Sequence, residues 1–285
     1  MNRIESLFEQ FSRQGRKALM PYITAGFPDL ATTAALIEQM PQCGAAMLEL
    51  GIPFSDPIAD GPVIQSSFTQ ALAKGLKSKQ IFKMLTDVRK RVEIPIAVMV
   101  SYSIVNRLGP QEYIKSCQDA GVDGLIIPDL PLEEAQPIAS LIQQAGLSSI
   151  MLVAPTTPID RQDQIARMSS GFIYYISLTG ITGEREQLPA ELVDNVARLK
   201  KVSGGKPVCV GFGVSTPAQV ALVSKVADGV IIGSAIIRRI SEAEGTGLDG
   251  IVAKVSEYTR SLVEALASAR PQLFGGTGQG AKQWL

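Results

Sequence analysis

Ala46-Met47-Leu48-Glu49-Leu50-Gly51-Ile52-Pro53 is a short apolar run closed by glycine and proline, with one carboxylate inside it. A strand buried on both faces reads this way, continuous rather than alternating, and such strands belong to parallel sheets covered by helices. Seven further runs of the same kind occur: Leu19–Thr24, Ile96–Ser101, Gly124–Pro128, Ser148–Val153, Phe172–Ser177, Pro207–Gly211 and Gly229–Gly233. Helix-like stretches separate them, so the chain reads as eight βα units in 285 residues. That pattern predicts an α/β fold, a (β/α)8 barrel, as one domain over residues 1–270 with a flexible tail at 271–285. Weak internal similarity at Cys43-Gly44-Ala45-Ala46-Met47, Ala120-Gly121-Val122-Asp123-Gly124 and Val226-Ala227-Asp228-Gly229-Val230 supports it. Each reads as helix end, turn and strand start, which assigns Asp123 and Asp228 to turns at the bottom of the barrel. Residues 1–14 read as an additional helix that plugs that bottom.

Unit length shows where function sits. The starts of runs two and three lie 50 residues apart and those of six and seven 35 apart, against 22 to 28 elsewhere. Extra length in a barrel's βα loops is usually site or lid. Loop two holds Asp60 between Pro57 and Pro62, then a helix through Ile64–Ala73; loop six holds Leu178–Arg185, polar and glycine-rich, expected to cover the site.

Glu49 is an acid in a run that must be buried, which is costly unless the group is paired, hydrogen-bonded or protonated. With Asp60 eleven residues on, it suggests general acid–base chemistry; a structural ion pair and a turn cap are the alternative. Composition narrows the choice. The chain has no histidine, which removes the commonest general base and the commonest zinc ligand, and its cysteines are only three. Three scattered cysteines indicate a reduced, cytoplasmic protein. Lys+Arg and Asp+Glu balance at 27 each, so nothing favours nucleic acid or an anionic membrane, and no apolar run approaches the roughly 18 residues of a span. The N-terminus lacks the pattern of a signal peptide.

After run seven stands Gly211-Phe212-Gly213-Val214-Ser215, and after run eight Gly233-Ser234-Ala235 opens a short helix. Glycines at these turns and a helix N-terminus form the usual phosphate site of this fold. Neither motif contains Lys or Arg, so the expectation is binding through backbone dipoles and the Ser234 hydroxyl. No run contains the inward lysine that Schiff-base aldol chemistry needs. Carboxylate-driven retro-aldol or isomerisation chemistry remains, with a leaving carbon that accepts a proton, as an indole ring does.

Pro21-Tyr22-Ile23-Thr24-Ala25-Gly26, Leu48–Pro57 continuing through Ala59-Asp60-Gly61-Pro62-Val63-Ile64-Gln65, Gly180-Ile181-Thr182-Gly183 and Gly211-Phe212-Gly213 resemble the tryptophan synthase alpha chain family, from about residue 3 to about 268. The resemblance implies cleavage of indole-3-glycerol phosphate to indole and glyceraldehyde 3-phosphate, with Glu49 as proton donor and acceptor and Asp60 stabilising charge on the indole nitrogen. It implies a catalytic tyrosine three residues before Ser177, which selects Tyr174 over Tyr175; strand alternation does not decide between them. By family position Gly183, Gly213, Gly233 and Ser234 hold the phosphate, and Thr182 joins the lid to the Asp60 loop. Tyr22, Val100, Tyr102 and Phe212, at strand ends, are candidates for the indole slot or plain core. The resemblance further implies a heterotetramer of two alpha and two beta chains, docked around Pro53–Asp60 and loop six with Asp56 as a candidate contact. Pyridoxal phosphate would reside in the beta chain and this chain would need no cofactor or metal. A free-standing indole-releasing lyase and a non-catalytic activator of a beta chain are the other readings. A sugar-phosphate isomerase of histidine biosynthesis would call for Asp where runs one and five end in Thr24 and Val153.

Overall fold

A computed structural model describes residues 2–57, 60–176, 190–211 and 213–268. Helix α1 (Arg3–Arg13) precedes β1 (Ala18–Thr24), and α2 (Leu30–Gln39) leads to β2 (Leu48–Gly51). Two helices, α3 (Pro62–Ala73) and α4 (Ser78–Arg89), fill the long second unit before β3 (Ile96–Met99). Then come α5 (Tyr102–Leu108), α6 (Pro110–Asp119), β4 (Gly124–Ile126), α7 (Leu132–Gln144), β5 (Ser148–Val153), α8 (Ile159–Met168) and β6 (Ile173–Ile176). The chain closes with α9 (Ala190–Val202), β7 (Val208–Gly211), α10 (Pro217–Val223), β8 (Gly229–Ile232), α11 (Ser234–Glu242) and α12 (Gly247–Ser268). The eight strands are all parallel and form a closed barrel, β8 pairing with β1.

Every predicted strand is present, several one or two residues shorter at the top. Ser101 leaves the β3 ladder because its hydroxyl caps α5, accepting from the Ser103 N–H at 3.2 Å. Pro128 has no N–H to offer a ladder.

Two apolar layers result. Leu48, Leu50, Val98, Val210 and Ile232 face the helices, whereas Met20, Met47, Ala97, Ile126, Ile150, Tyr174, Cys209 and Ile231 fill the barrel. Helix α1 closes the lower end: Ile4, Phe8 and Phe11 join the interior cluster, and Phe8 packs 5.6 Å from the Phe172 ring. Asp123 accepts from the Ile96 N–H at 2.8 Å and pairs with Arg89 and Arg3; Asp228 accepts from the Val208 N–H at 3.0 Å and pairs with Lys17 and Lys200. Both acids are at the bottom, where they tie strand starts together. The functional carboxylates must be sought at the other end.

Candidate active site

Alternation along β2 sends Leu48 and Leu50 outward and Glu49 inward, opposite Tyr22 of β1 and Ala97 of β3. Glu49 is 2% exposed, and its Oε1 makes no hydrogen bond among the described residues. An ionised carboxylate in that position would lack compensation, so burial first, and the negative charge of Asp60 second, push its pKa up to about 8. Near neutrality it carries a proton.

Asp60 precedes Gly61, the N-cap of α3, and is half-buried. Desolvation raises its pKa to about 6. The positive end of α3 favours its charged form. At pH 7 the pair therefore holds one proton on Glu49 and a charge on Asp60, the division that acid–base chemistry by two carboxylates requires.

Two tyrosines flank the acids. Tyr174 on β6 is buried inside the barrel, while Tyr175 points the other way and its hydroxyl accepts from the Asn195 amide of α9 at 3.0 Å. Burial holds both Tyr22 and Tyr174 well above the ordinary phenol range, so they remain neutral donors. Glycines at the strand tops make room for them. A Cβ at Gly211 would lie 2.5 Å from the Tyr174 hydroxyl, and one at Gly51 would lie 1.9 Å from that of Tyr22. Gly211→Ala should therefore displace the Tyr174 ring and cut turnover roughly 10- to 100-fold, as misplacements of about 1 Å do. Steady-state kinetics on the folded variant check this; wild-type turnover would show that Tyr174 need not hold its place.

The barrel mouth opens into two adjoining cavities. One, about 300 Å³, is lined by Tyr22, Glu49, Asp60, Tyr174, Gly213, Gly233, Ser234 and Arg238. The other, about 340 Å³, is lined by Phe54, Phe68, Val100, Leu152 and Ile176, with Asp56 and Asp129 at its edge. Asp60, Met99 and Tyr174 border both. A flat apolar ring and a phosphorylated chain thus have separate compartments, with the acids at or beside their junction.

Ser234 opens α11, whose first N–H groups have no partner inside the helix and face the first cavity together with Gly213 and Gly233. Arg238 corrects the expectation of a site without cations. It lies one turn beyond Ser234, lines the same cavity and makes no ion pair among the described residues. Helical periodicity from Ser234 would have found it, because i and i+4 share a face.

Other expectations shift or stand outside the described residues. Tyr22 lies on the Glu49 side, not in the apolar compartment. Val100 does line the apolar compartment. Tyr102 starts α5, gives its N–H to Asp129 at 2.7 Å and lines neither cavity. Asp56 is exposed and accepts from the Ser55 hydroxyl. Thr182, Gly183, Phe212 and the tail 271–285 fall outside the described residues. The aromatic wall formed by Phe54 and Phe68, with ring centroids 5.7 Å apart, was missed because it comes from a loop and from α3, not from strand ends. Among the described residues no group of three or more His, Cys, Asp or Glu is placed to hold a metal, and no helix is long and apolar enough to cross a membrane.

Fold and site together define a parallel (β/α)8 barrel with two carboxylates of raised pKa at its mouth. The family model for the tryptophan synthase alpha chain matches residues 8–267. The alpha chain of Rhodopirellula baltica is 44% identical over 279 residues, covering 94% of this chain and 100% of that one. A crystal structure of tryptophan synthase subunit alpha from Legionella pneumophila superposes with a TM-score of 0.87 at 37% identity, over 94% of this chain and 99% of that one. A tryptophan synthase complex from Pyrococcus furiosus gives 0.78 at 33% identity, over 87% and 99%. The chain belongs to the tryptophan synthase alpha chain family, lyases that cleave indole-3-glycerol phosphate in tryptophan biosynthesis.

Proposed function

We propose that Glu49 and Asp60 together carry out the cleavage of indole-3-glycerol phosphate into indole and glyceraldehyde 3-phosphate. The observation that carries this reading is a buried, unpartnered Glu49 with a raised pKa, which shares with Asp60 a cavity that ends at Ser234 and Arg238 and adjoins an apolar one. The ring lies in the apolar cavity and the phosphate at Gly213, Gly233, Ser234 and Arg238.

Glu49 gives its proton to the ring carbon that bears the glycerol chain, and positive charge forms at the ring nitrogen, where Asp60 stabilises it. The resulting Glu49 carboxylate takes the proton of the adjacent glycerol hydroxyl. As that oxygen becomes the aldehyde oxygen, the carbon–carbon bond breaks and its electron pair returns to the ring. The nitrogen is neutral again, Glu49 has regained a proton and indole is free. Tyr174 borders both cavities and bounds the space open to the ring. No step calls on a resident cofactor.

Indole crosses membranes, so its release into water is wasteful, and a beta chain carrying pyridoxal phosphate is the natural acceptor. We place that chain on the rim around Pro53 and Asp56, in an assembly of two alpha and two beta chains working in the cytoplasm. Indole release from indole-3-glycerol phosphate, measured with and without a beta chain, is the test. Activity that rises with the partner supports the reading; no release under either condition overturns it.

The phosphate assignment has its own check. Ser234→Asp should weaken glycerol 3-phosphate binding about 10-fold or more by placing like charge at the helix end. Unchanged inhibition by that compound would move the phosphate elsewhere.

A further inference from the structure

Gln65 belongs to the segment that identifies the family, yet no role has fallen to it. It lies on the first turns of α3, five residues after Asp60. Its Nε2 donates to the Asp60 carbonyl at 2.7 Å and to the Pro57 carbonyl at 3.0 Å. Both partners accept only, so the nitrogen and not the oxygen of the amide must face them. The Pro57 carbonyl also accepts from the Asp60 N–H at 3.1 Å. One side chain thus spans the loop that ends in Asp60 and fastens both sides of it to a helix.

Among the described residues the Asp60 carboxylate makes no hydrogen bond and no ion pair, so within them its position follows from its own backbone. Its half-buried place at the cavity junction has to be maintained against the pull of water on a charge. We propose that Gln65 is the positioning residue that clamps the Asp60 loop and keeps the carboxylate in register with the indole nitrogen. This rests on the proposed roles of Glu49 and Asp60.

Gln65→Met keeps the length of the side chain and removes both donors. In the full chain, assayed with a saturating beta chain, kcat should fall roughly 10- to 100-fold while KM stays within about threefold. The acid limb of kcat should also move to lower pH as Asp60 swings toward water and its carboxyl returns toward the ordinary range. The titratable and charged groups that share a cavity with Asp60 are Glu49 from β2, Tyr22 from β1, Tyr174 from β6 and Arg238 from α11 on one side, and Asp56 and Asp129 on the other. None of these is altered by the substitution, and the tyrosines stay neutral throughout. Faster hydrogen exchange at the Asp60 amide is the matching structural readout.

Wild-type kcat with an unmoved acid limb would overturn the clamp. So would a fall in kcat that comes only with a lowered melting temperature and leaves the limb in place. Should Gln65→Met not fold, Gln65→Asn, one methylene too short to reach both carbonyls, is judged by the same readouts. An inert wild type would sink the functional reading instead. Exchange at Asp60 then decides the clamp: acceleration supports it and unchanged protection overturns it.

Discussion

Glu49→Gln should lose turnover by about 10³-fold while the protein melts at the same temperature or higher. Gln matches Glu in size but has no acidic proton to give a ring carbon. The stability half of the prediction follows from the raised pKa. In the unfolded chain Glu49 ionises near 4.5, and in the barrel near 8. The folded state therefore binds a proton that the unfolded state releases over that interval. Relative to its value below pH 4.5, the contribution of Glu49 to stability falls as pH rises, and it is lost by about pH 8. At pH 7 the difference is on the order of 3 kcal/mol. A neutral amide escapes that cost, so Glu49→Gln gains more at pH 7 than at pH 5. Activity and stability moving in opposite directions is the mark of a site strained for function. Thermal melts at pH 5 and pH 7 beside indole-release kinetics check it; substantial remaining turnover would remove Glu49 from the mechanism.

The barrel was legible because both faces of every strand are covered, which turns each into an unbroken apolar run between glycine or proline stops. Glu49 was legible for the same reason: a charge in such a run has few structural excuses. What the chain order conceals is the stagger between strands. Tyr22 pairs in register with Glu49 and so faces the acids, not the ring compartment, and no local pattern along β1 reveals that. The aromatic wall of Phe54 and Phe68 was hidden because it forms when the second loop folds back against α3. Arg238 was hidden for a simpler reason. Attention to glycine turns stops at Ser234, although helix geometry carries the same face one turn further. Gln65 was in plain view within the most specific motif, and only the two carbonyls it reaches show what an amide does there.

Asp60→Asn should lower kcat at pH 7 by roughly 100-fold and change the shape of the pH profile, not only its height. In the proposed mechanism the active form has Asp60 ionised and Glu49 protonated. The profile is therefore a bell, rising near pH 6 and falling near pH 8, with both limbs belonging to the coupled pair. Asparagine does not titrate, so the rising limb disappears. The falling limb shifts too, because the Asp60 charge is one of the two causes that raise Glu49. Without it Glu49 loses its proton more easily and the limb moves to lower pH. The residual activity of Asp60→Asn should thus be greatest in acid and decline through neutrality, a single descending curve. Asp60→Glu, which restores a charge one methylene away, should recover the rising limb even if it recovers little of the rate. A bell that survives in Asp60→Asn would mean that another group governs the acid side. A falling limb that stays near pH 8 would mean that the two carboxylates do not feel each other across the cavity, and the division of labour between them would have to be abandoned.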